Sequence, residues 1–299
     1  MKMFPPTGFD FDWYIGQIQT ELKVTKQTKV VSLGSCFARE IRNFLLASGY
    51  NYLTGETEKD CYVDLFPGDN GMHKSDHGSI AWERVYHVHT FYQIIRYSFG
   101  KEYDRIHPFI HKGKTYYTDL LRTRMVYPDM QTAETDIADH IQHSKRTLLD
   151  ADLLIFTLGL TEVNRFNGIV LGSLPKGVKI DKQFEATNYG ENLALLNKAV
   201  DVLQEQTPKL QILFTVSPVH LLATSRDIDC VVASCASKSI LRAVADTITK
   251  REGVHYFPSY EIANIVFPLL GKQSYPDNHH VSREVVQHIM KAFEQKCLI

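Results

Sequence analysis

The stretch VVSLGSCFARE, residues 30–40, joins a short apolar run to a pattern with helical spacing, and a glycine at position 34 separates the two. A run of Val and Leu that ends at a glycine is typical of a buried central strand in a parallel sheet. Beyond the glycine, apolar residues recur every three or four positions, as on the buried face of a helix. They are Phe37, Ile41, Phe44 and Leu45. The stretch therefore predicts a strand, a tight turn and a helix, with Ser35 and Cys36 at the turn.

A hydroxyl or thiol at the start of a helix lies beside backbone N–H groups that lack partners within the helix and carry positive potential. Such N–H groups can bind a developing oxyanion, and a thiol in this place ionises more easily. Ser35 and Cys36 are therefore candidate nucleophiles. The alternative, from these residues alone, is that Ser35 caps the helix and Cys36 is a small core side chain.

Two further apolar runs, residues 152–158 and 210–216, predict central strands that end at Gly159 and Ser217. Helical patterns alternate with the strands, at residues 83–99, 133–149, 190–206, 236–251 and 282–296, and a short strand is predicted at 254–257. This alternation predicts an α/β fold, a flavodoxin-like, doubly wound and mostly parallel sheet with loop insertions. Ligands of such sheets bind at the carboxyl ends of the strands, so we expect the strand ends to form one rim.

The remaining segments are less regular. Residues 1–27 show no clear periodicity and are interpreted as an N-terminal arm, with residues 28–299 as a single domain. Residues 101–130 are predicted to be irregular or short-stranded. The glycine-rich residues 164–182 predict a hairpin-like insertion near the same edge of the sheet.

Composition excludes several classes of protein. The chain has 299 residues and a formal net charge of -1, which gives no electrostatic reason to expect nucleic acid or an anionic membrane as a partner. Five cysteines without a CxxC pair argue against a disulfide framework and a structural zinc site. No signal-peptide core or apolar run of spanning length is present, so we expect a cytoplasmic protein without a membrane span.

No cofactor or metal is predicted. The polar connection between residues 50 and 79 contains a group of possible ligands: Asp69, His73, Asp76 and His77. Their spacing fits no standard metal-binding pattern, and we interpret them as solvated loop residues.

The run Gly34–Ala38 resembles the signature of the GSCFA family, a branch of the SGNH (GDSL-type) hydrolase superfamily. Four further blocks of the chain match in order: Phe156–Glu162, Thr215–Val219, Ser237–Arg242 and Tyr256–Glu261. The resemblance implies an SGNH hydrolase-like domain that cleaves or transfers an acyl group. It also implies an O-acylated saccharide as one candidate substrate.

In SGNH-type hydrolases an Asp-x-x-His element precedes the last helix, and Asp277 and His280 have this spacing and place. The carboxylate orients the imidazole, which takes the proton of the nucleophile and returns it to the leaving group. His279 is an alternative to His280. If the register of the superfamily is kept, Cys36 is the nucleophile. If the turn is shifted by one residue, Ser35 is.

The resemblance also implies oxyanion and substrate-binding residues. Thr161 occupies the place of an asparagine donor in the block that begins at Gly159, and Gly159 is itself a candidate oxyanion or substrate-binding residue. Gly34 shapes the nucleophile turn, and Glu162 orients Thr161 or binds substrate. A threonine hydroxyl is shorter than the usual amide, and losing one oxyanion donor costs roughly a hundred- to a thousandfold in rate. The glycine of the second block is left open among Gly68, Gly71 and Gly78.

Two functions from different classes follow. One is an esterase or acyltransferase that acts on a small-molecule or saccharide ester through a Cys/Ser-His-Asp site. The other is a non-catalytic carbohydrate- or small-molecule-binding protein with a degenerate hydrolase site. The joint presence of Asp277 and His280 favours the enzyme, because a binding protein needs neither. The acyl group, the acceptor and the oligomeric state stay open.

Overall fold

The computed structural model of the protein describes residues 5–34, 36–54, 56, 63, 65, 78–82, 85–100, 104–122, 125–172, 178–277 and 280–299, with the backbone alone for residues 36 and 37. Its strands are β1 (Val30–Leu33), β2 (Ile106–His111), β3 (Lys114–Asp119), β4 (Val126–Tyr127), β5 (Leu153–Leu158), β6 (Glu162–Phe166), β7 (Ile169–Val170), β8 (Gln183–Ala186), β9 (Gln211–Val216) and β10 (Val254–Tyr256). Its helices are α1 (Phe11–Gln17), α2 (Cys36–Ala47), α3 (Val88–Ser98), α4 (Met130–Asp150), α5 (Tyr189–Gln206), α6 (Cys230–Ile248), α7 (Ser259–Glu261), α8 (Phe267–Leu269) and α9 (Arg283–Cys297), and a π-helical turn, Ile262–Val266, joins α7 to α8.

The central sheet is parallel, with strand order β1-β5-β9-β10. On the outer side of β1, Tyr52 forms a parallel bridge with Val30, and the Leu53 N–H donates to the Val30 carbonyl at 2.9 Å. Counting the Tyr52 segment as the second element, the order is 2-1-3-4-5, which is that of flavodoxin-like sheets. The predicted fold is confirmed.

Helices cover both faces of the sheet because successive strand residues point to opposite sides. One face packs against α3, α5 and α6 through Val31, Leu33, Leu154, Phe156, Leu158, Ile212, Phe214 and Val216. The other face packs against α1, α2 and α9 through Val30, Leu153, Ile155 and Leu213. We call these two layers the α3/α5/α6 layer and the α1/α2/α9 layer. The strands are apolar on both faces, which explains why their sequences are continuous apolar runs.

Two small antiparallel sheets are inserted into this framework, with orders β2-β3-β4 and β7-β6-β8. The turn between β6 and β7 is Asn167-Gly168, and both residues have a positive φ, 48° and 80°. This Asn-Gly sequence is the standard one for a two-residue hairpin turn. The hairpin-like insertion predicted between residues 164 and 182 is therefore present, and it begins two residues earlier, at Glu162.

Several predicted boundaries are wrong for identifiable reasons. Helix α6 begins at Cys230 rather than at 236, because the Asp229 side chain accepts hydrogen bonds from the N–H groups of Val231 and Val232. Both valines are exposed, so the first turn lacks the buried periodicity that reveals a helix in sequence. Helix α3 begins at Val88 rather than at 83, since the backbone before it is bonded to the ends of β1 and β5.

The predicted N-terminal arm contains α1, which begins after Asp10; the Asp10 side chain accepts a hydrogen bond from the Trp13 N–H. Phe11 and Ile15 of α1 are buried in the α1/α2/α9 layer. Among the helices of the described ranges, none has the length and apolar character needed to cross a membrane.

Candidate active site

The carboxyl ends of β1, β5 and β9 lie at one edge of the sheet, and Gly34, Gly159 and Ser217 directly follow these strands. The predicted rim is therefore present. The Ser217 N–H donates to the Leu158 carbonyl at 2.8 Å, and the Ser217 hydroxyl accepts the Val219 N–H at 3.3 Å. Ser217 thus shapes the turn after β9.

Gly34 forms the turn between β1 and α2, with φ of 149°, a conformation that favours glycine. A Cβ atom at this position would lie 3.0 Å from the Cβ atoms of both Ala38 and Thr157. Helix α2 then begins at Cys36. Ser35 lies outside the described residues, so the choice of nucleophile stays a prediction.

A segment formed by Val85, Tyr86 and His87, the crossing segment, runs over the ends of β1 and β5. The Val85 N–H donates to the Gly34 carbonyl at 3.0 Å, and the Tyr86 carbonyl accepts the N–H groups of Gly159 and Leu160, each at 2.9 Å. A Cβ on Gly159 would lie 2.8 Å from the Tyr86 carbonyl oxygen. The N–H of Gly159, a candidate oxyanion or substrate-binding residue, is thus bonded within the protein.

Helix α6 also contacts the residues that follow β5. The Thr161 N–H donates to the Ser237 hydroxyl at 3.0 Å, and the buried Lys238 ammonium donates to the Gly159 carbonyl at 2.8 Å. We assigned no role to Ser237 or Lys238 from the sequence. In the sequence, the adjacent serine and lysine at the start of the matching block Ser237–Arg242 are what could have indicated such a role.

Asp277 and His280 form a close pair. One carboxylate oxygen of Asp277 accepts the backbone N–H of His280 at 2.6 Å, and the other lies 2.6 Å from His280 Nδ1. Because a carboxylate only accepts, a neutral His280 ring carries its proton on Nδ1, and Nε2 is then its basic nitrogen. The turn is anchored by Tyr275, whose hydroxyl lies 2.7 Å from both the Pro218 carbonyl and the Asn264 side-chain oxygen.

His280 lines a cavity of about 510 Å³, which we call the histidine cavity. Arg39 and Glu40 of α2 form part of its wall, together with Val219 from the connection after β9. Arg39 lies one helical turn beyond Cys36. The histidine cavity is therefore bounded by the helix on which the candidate nucleophile lies.

Glu162 lies elsewhere on the rim, in a second cavity of about 380 Å³. Its buried carboxylate accepts the Thr224 hydroxyl at 2.9 and 3.0 Å to the two oxygens. His87 also lines this cavity, and burial, with a smaller contribution from His89, lowers its pKa to about 4. We call it the glutamate cavity. The sequence predicted that Glu162 lies at the rim. It did not indicate Thr224 or His87, because both are far from Glu162 in sequence.

The other candidates are placed as follows. Gly78 lies against β1, where a Cβ atom would be 2.7 Å from the Ser32 carbonyl oxygen. Gly68, Gly71 and His279 lie outside the described residues, as do the four possible ligands of the 50–79 connection. Within the described ranges, no three His, Cys, Asp or Glu side chains are grouped so that they could hold a metal ion.

The fold and the rim define a doubly wound α/β protein with a histidine–carboxylate pair at the carboxyl ends of its strands. The family model of the GSCFA family matches residues 29–293, so the chain belongs to the GSCFA family.

Comparison with curated proteins gave no match. Among solved structures, the chain is similar to the crystal structure of a carbohydrate esterase family 3 from Talaromyces cellulolyticus, with 12% identity over 90% of this chain and 95% of that chain and a TM-score of 0.40. That similarity is too low to bear on the activity of this chain.

Proposed function

We propose that the protein is an SGNH-like esterase or acyltransferase that acts on an acyl ester, with an O-acylated saccharide as the candidate substrate. The observation that carries the proposal is the Asp277–His280 pair, with Nδ1 held at 2.6 Å by a carboxylate in a turn before the last helix. A lone surface histidine needs no such partner. The position of His280 in a cavity shared with α2 supports the proposal.

In the proposed reaction, His280 Nε2 takes the proton of the nucleophile as it attacks the acyl carbon. The tetrahedral intermediate then collapses, and the same proton passes from His280 to the alcohol that leaves. The acyl group, now bound to the enzyme, is transferred to water or to an acceptor hydroxyl, again with His280 as the base. We propose Cys36 as the nucleophile, with Ser35 as the alternative.

The geometry of the rim bears on which groups we propose as oxyanion donors. Because the Gly159 N–H is bonded to Tyr86, we propose that the first N–H groups of α2 and the Thr161 hydroxyl stabilise the negative oxygen. Gly159 then acts by permitting the close approach of the crossing segment. A site with one short donor is expected to be slow, by roughly a hundred- to a thousandfold relative to one with the amide.

Turnover of p-nitrophenyl acetate and of acetylated monosaccharides tests the proposal. His280→Ala and Asp277→Asn are expected to lower kcat by at least about a hundredfold, because general acid–base catalysis contributes about that much. His143→Ala, which removes a partly exposed histidine on α4 that does not line the histidine cavity, is the control and keeps full activity. Equal activity of His280→Ala and His143→Ala would contradict the proposal.

The nucleophile is tested by brief alkylation and mass spectrometry. We expect Cys36 to be labelled faster than Cys235, which is exposed on α6 and serves as the accessible reference thiol. Cys297 should resist, because burial raises the pKa of its thiol to about 12. If Ser35→Ala abolishes turnover while Cys36→Ala does not, serine is the nucleophile. A thiol nucleophile also suits the reducing cytoplasm, which we propose as the location.

The bonded state of the Gly159 N–H and the threonine at position 161 favour a second candidate, a carbohydrate- or small-molecule-binding protein with a degenerate site. This candidate predicts saturable ligand binding without turnover. It also predicts that His280→Ala leaves the dissociation constant unchanged.

A further inference from the structure

The glutamate cavity is built by three parts of the chain that meet at the rim. The small sheet β7-β6-β8 forms one wall, the connection between β9 and α6 forms a second through residues 221 and 223–225, and Tyr86 and His87 of the crossing segment complete it. Its volume of about 380 Å³ lies within the usual range of small-ligand cavities, roughly 300–1,000 Å³.

The sheet wall follows from the alternation of strand residues. Glu162 and Asn164, two positions apart on β6, both line the cavity, and Phe184 pairs with Asn164 from β8. Along a strand this spacing is about 7 Å, so one ring-sized ligand can reach both polar side chains. Phe184 is 37% exposed, which leaves an aromatic face open at the cavity.

The hydrogen-bonding capacity of this wall suits hydroxyl groups. The Thr224 hydroxyl has no proton left for a ligand, because it donates to Glu162; it also accepts the Arg226 N–H at 3.0 Å. A carboxylate has about four lone-pair positions, so Glu162 can still accept hydrogen bonds from a ligand. The Asn164 amide can both donate and accept. A ligand with several O–H groups meets both requirements.

The charges of the cavity give no net preference for an ion of either sign. Glu162 and Lys182 carry opposite charges, and His87 stays neutral above about pH 4 because burial lowers its pKa. The remaining lining includes apolar side chains, among them Leu160, Leu171 and Leu221. An uncharged ring with an apolar face and polar edges is the ligand chemistry that fits.

We propose that the glutamate cavity binds an uncharged saccharide ring, with Phe184 against the face of the ring and with Glu162 and Asn164 bonded to its hydroxyl groups. The inference rests on the proposed function in taking this ring as the saccharide part of the ester. It assigns recognition to the glutamate cavity and acid–base chemistry to the histidine cavity. Val219 lines the histidine cavity, and Leu221, two residues later, lines the glutamate cavity.

The test is a ligand-observed NMR titration of the full chain with methyl glycosides of the common hexoses, pentoses and N-acetylhexosamines. These probes contain no reactive ester, so turnover does not enter the measurement. We expect at least one glycoside to bind saturably, and Phe184→Ala and Asn164→Ala each to weaken its binding about tenfold. Ile110→Ala, which removes an exposed apolar side chain from β2, is the matched control and leaves the dissociation constant unchanged.

Glu162→Gln and Glu185→Gln form a second matched pair, because Glu185 lies on the same small sheet but is bonded to Arg165 at 2.8 Å and does not line the cavity. Only Glu162→Gln should weaken binding. The inference is overturned if no glycoside binds, or if Phe184→Ala and Asn164→Ala leave the dissociation constant unchanged. It is also overturned if tetramethylammonium or acetate binds in place of the glycosides. A chain that binds a glycoside and turns over no ester overturns the proposed enzyme and leaves the saccharide site in place.

Discussion

Gly159→Ala is predicted to destabilise the rim that carries the proposed site. The added Cβ would lie 2.8 Å from the Tyr86 carbonyl oxygen and 3.2 Å from its Cα, closer than such contacts allow. The crossing segment must then move away, and the two hydrogen bonds that the Tyr86 carbonyl accepts are lengthened or lost. Since each contributes about 0.5–1.5 kcal/mol, the expected loss in the free energy of unfolding is about 1–3 kcal/mol.

Gly16→Ala is the matched control, because nothing lies within 4 Å of its added Cβ at the end of α1. Alanine in a helix is favoured over glycine by about 0.5–1 kcal/mol, so this variant should be slightly more stable than the wild type. Urea unfolding followed by circular dichroism measures both. If Gly159→Ala unfolds within about 0.5 kcal/mol of the wild type, the crossing segment is not held as the contacts suggest.

Three further predictions concern buried charge, pH and the Asp277–His280 turn. Asp119→Asn removes a buried carboxylate that Arg105 and Arg122 share, with Arg122 keeping its pair with Asp136, and should cost about 3–5 kcal/mol, whereas Asp246→Asn, at an exposed pair, should cost less than about 1 kcal/mol; similar urea midpoints would refute this. Burial, and then the charge of the neighbouring Arg122, lower the pKa of His140 from 6.5 to about 4. Between these two pH values the unfolded chain binds one proton more than the folded chain. The free energy of unfolding therefore falls on acidification, by up to about 1.4 kcal/mol per pH unit. His140→Gln should flatten that slope in urea titrations from pH 7 to 4, and an unchanged slope would exclude His140 as its source. Tyr275→Phe should lower kcat more than it changes KM, because the turn loses its anchor to the end of β9; an unchanged kcat would mean that other contacts hold the turn.

The central framework could be predicted from sequence because its signals are local. A strand buried on both faces is a continuous apolar run, and β1, β5 and β9 each end at a residue that breaks the run. Helix α5 was predicted at 190–206 and is found at Tyr189–Gln206, since its apolar periodicity extends over nearly its whole length. The pairing of Asp277 with His280 was predictable for the same reason, as the two residues are three apart in one turn.

The contacts that hold the rim could not be predicted, because they join residues that are distant in sequence. Nothing in the residues around Tyr86 indicates that its carbonyl accepts a hydrogen bond from the N–H of Gly159, seventy-three positions later. The buried bond between Lys238 and the Gly159 carbonyl is likewise a product of packing. Local sequence patterns indicate candidate reactive side chains, whereas tertiary packing determines which backbone N–H groups of the rim are already bonded within the protein.

The residues proposed for acid–base chemistry and those proposed for saccharide binding are connected to different layers of the core. The turn with His280 leads into α9 and, with α2, belongs to the α1/α2/α9 layer, whereas the crossing segment and the connection that bound the glutamate cavity lead into α3 and α6 of the other layer. Truncating one buried side chain in either layer should therefore change a different kinetic constant. Val285→Ala, on α9 in the α1/α2/α9 layer, is expected to act on kcat, and Leu241→Ala, on α6 in the α3/α5/α6 layer, on KM. Under the two proposals, substitutions in the α3/α5/α6 layer are expected to change the affinity for a saccharide and to leave the acid–base chemistry proposed for the other layer unchanged.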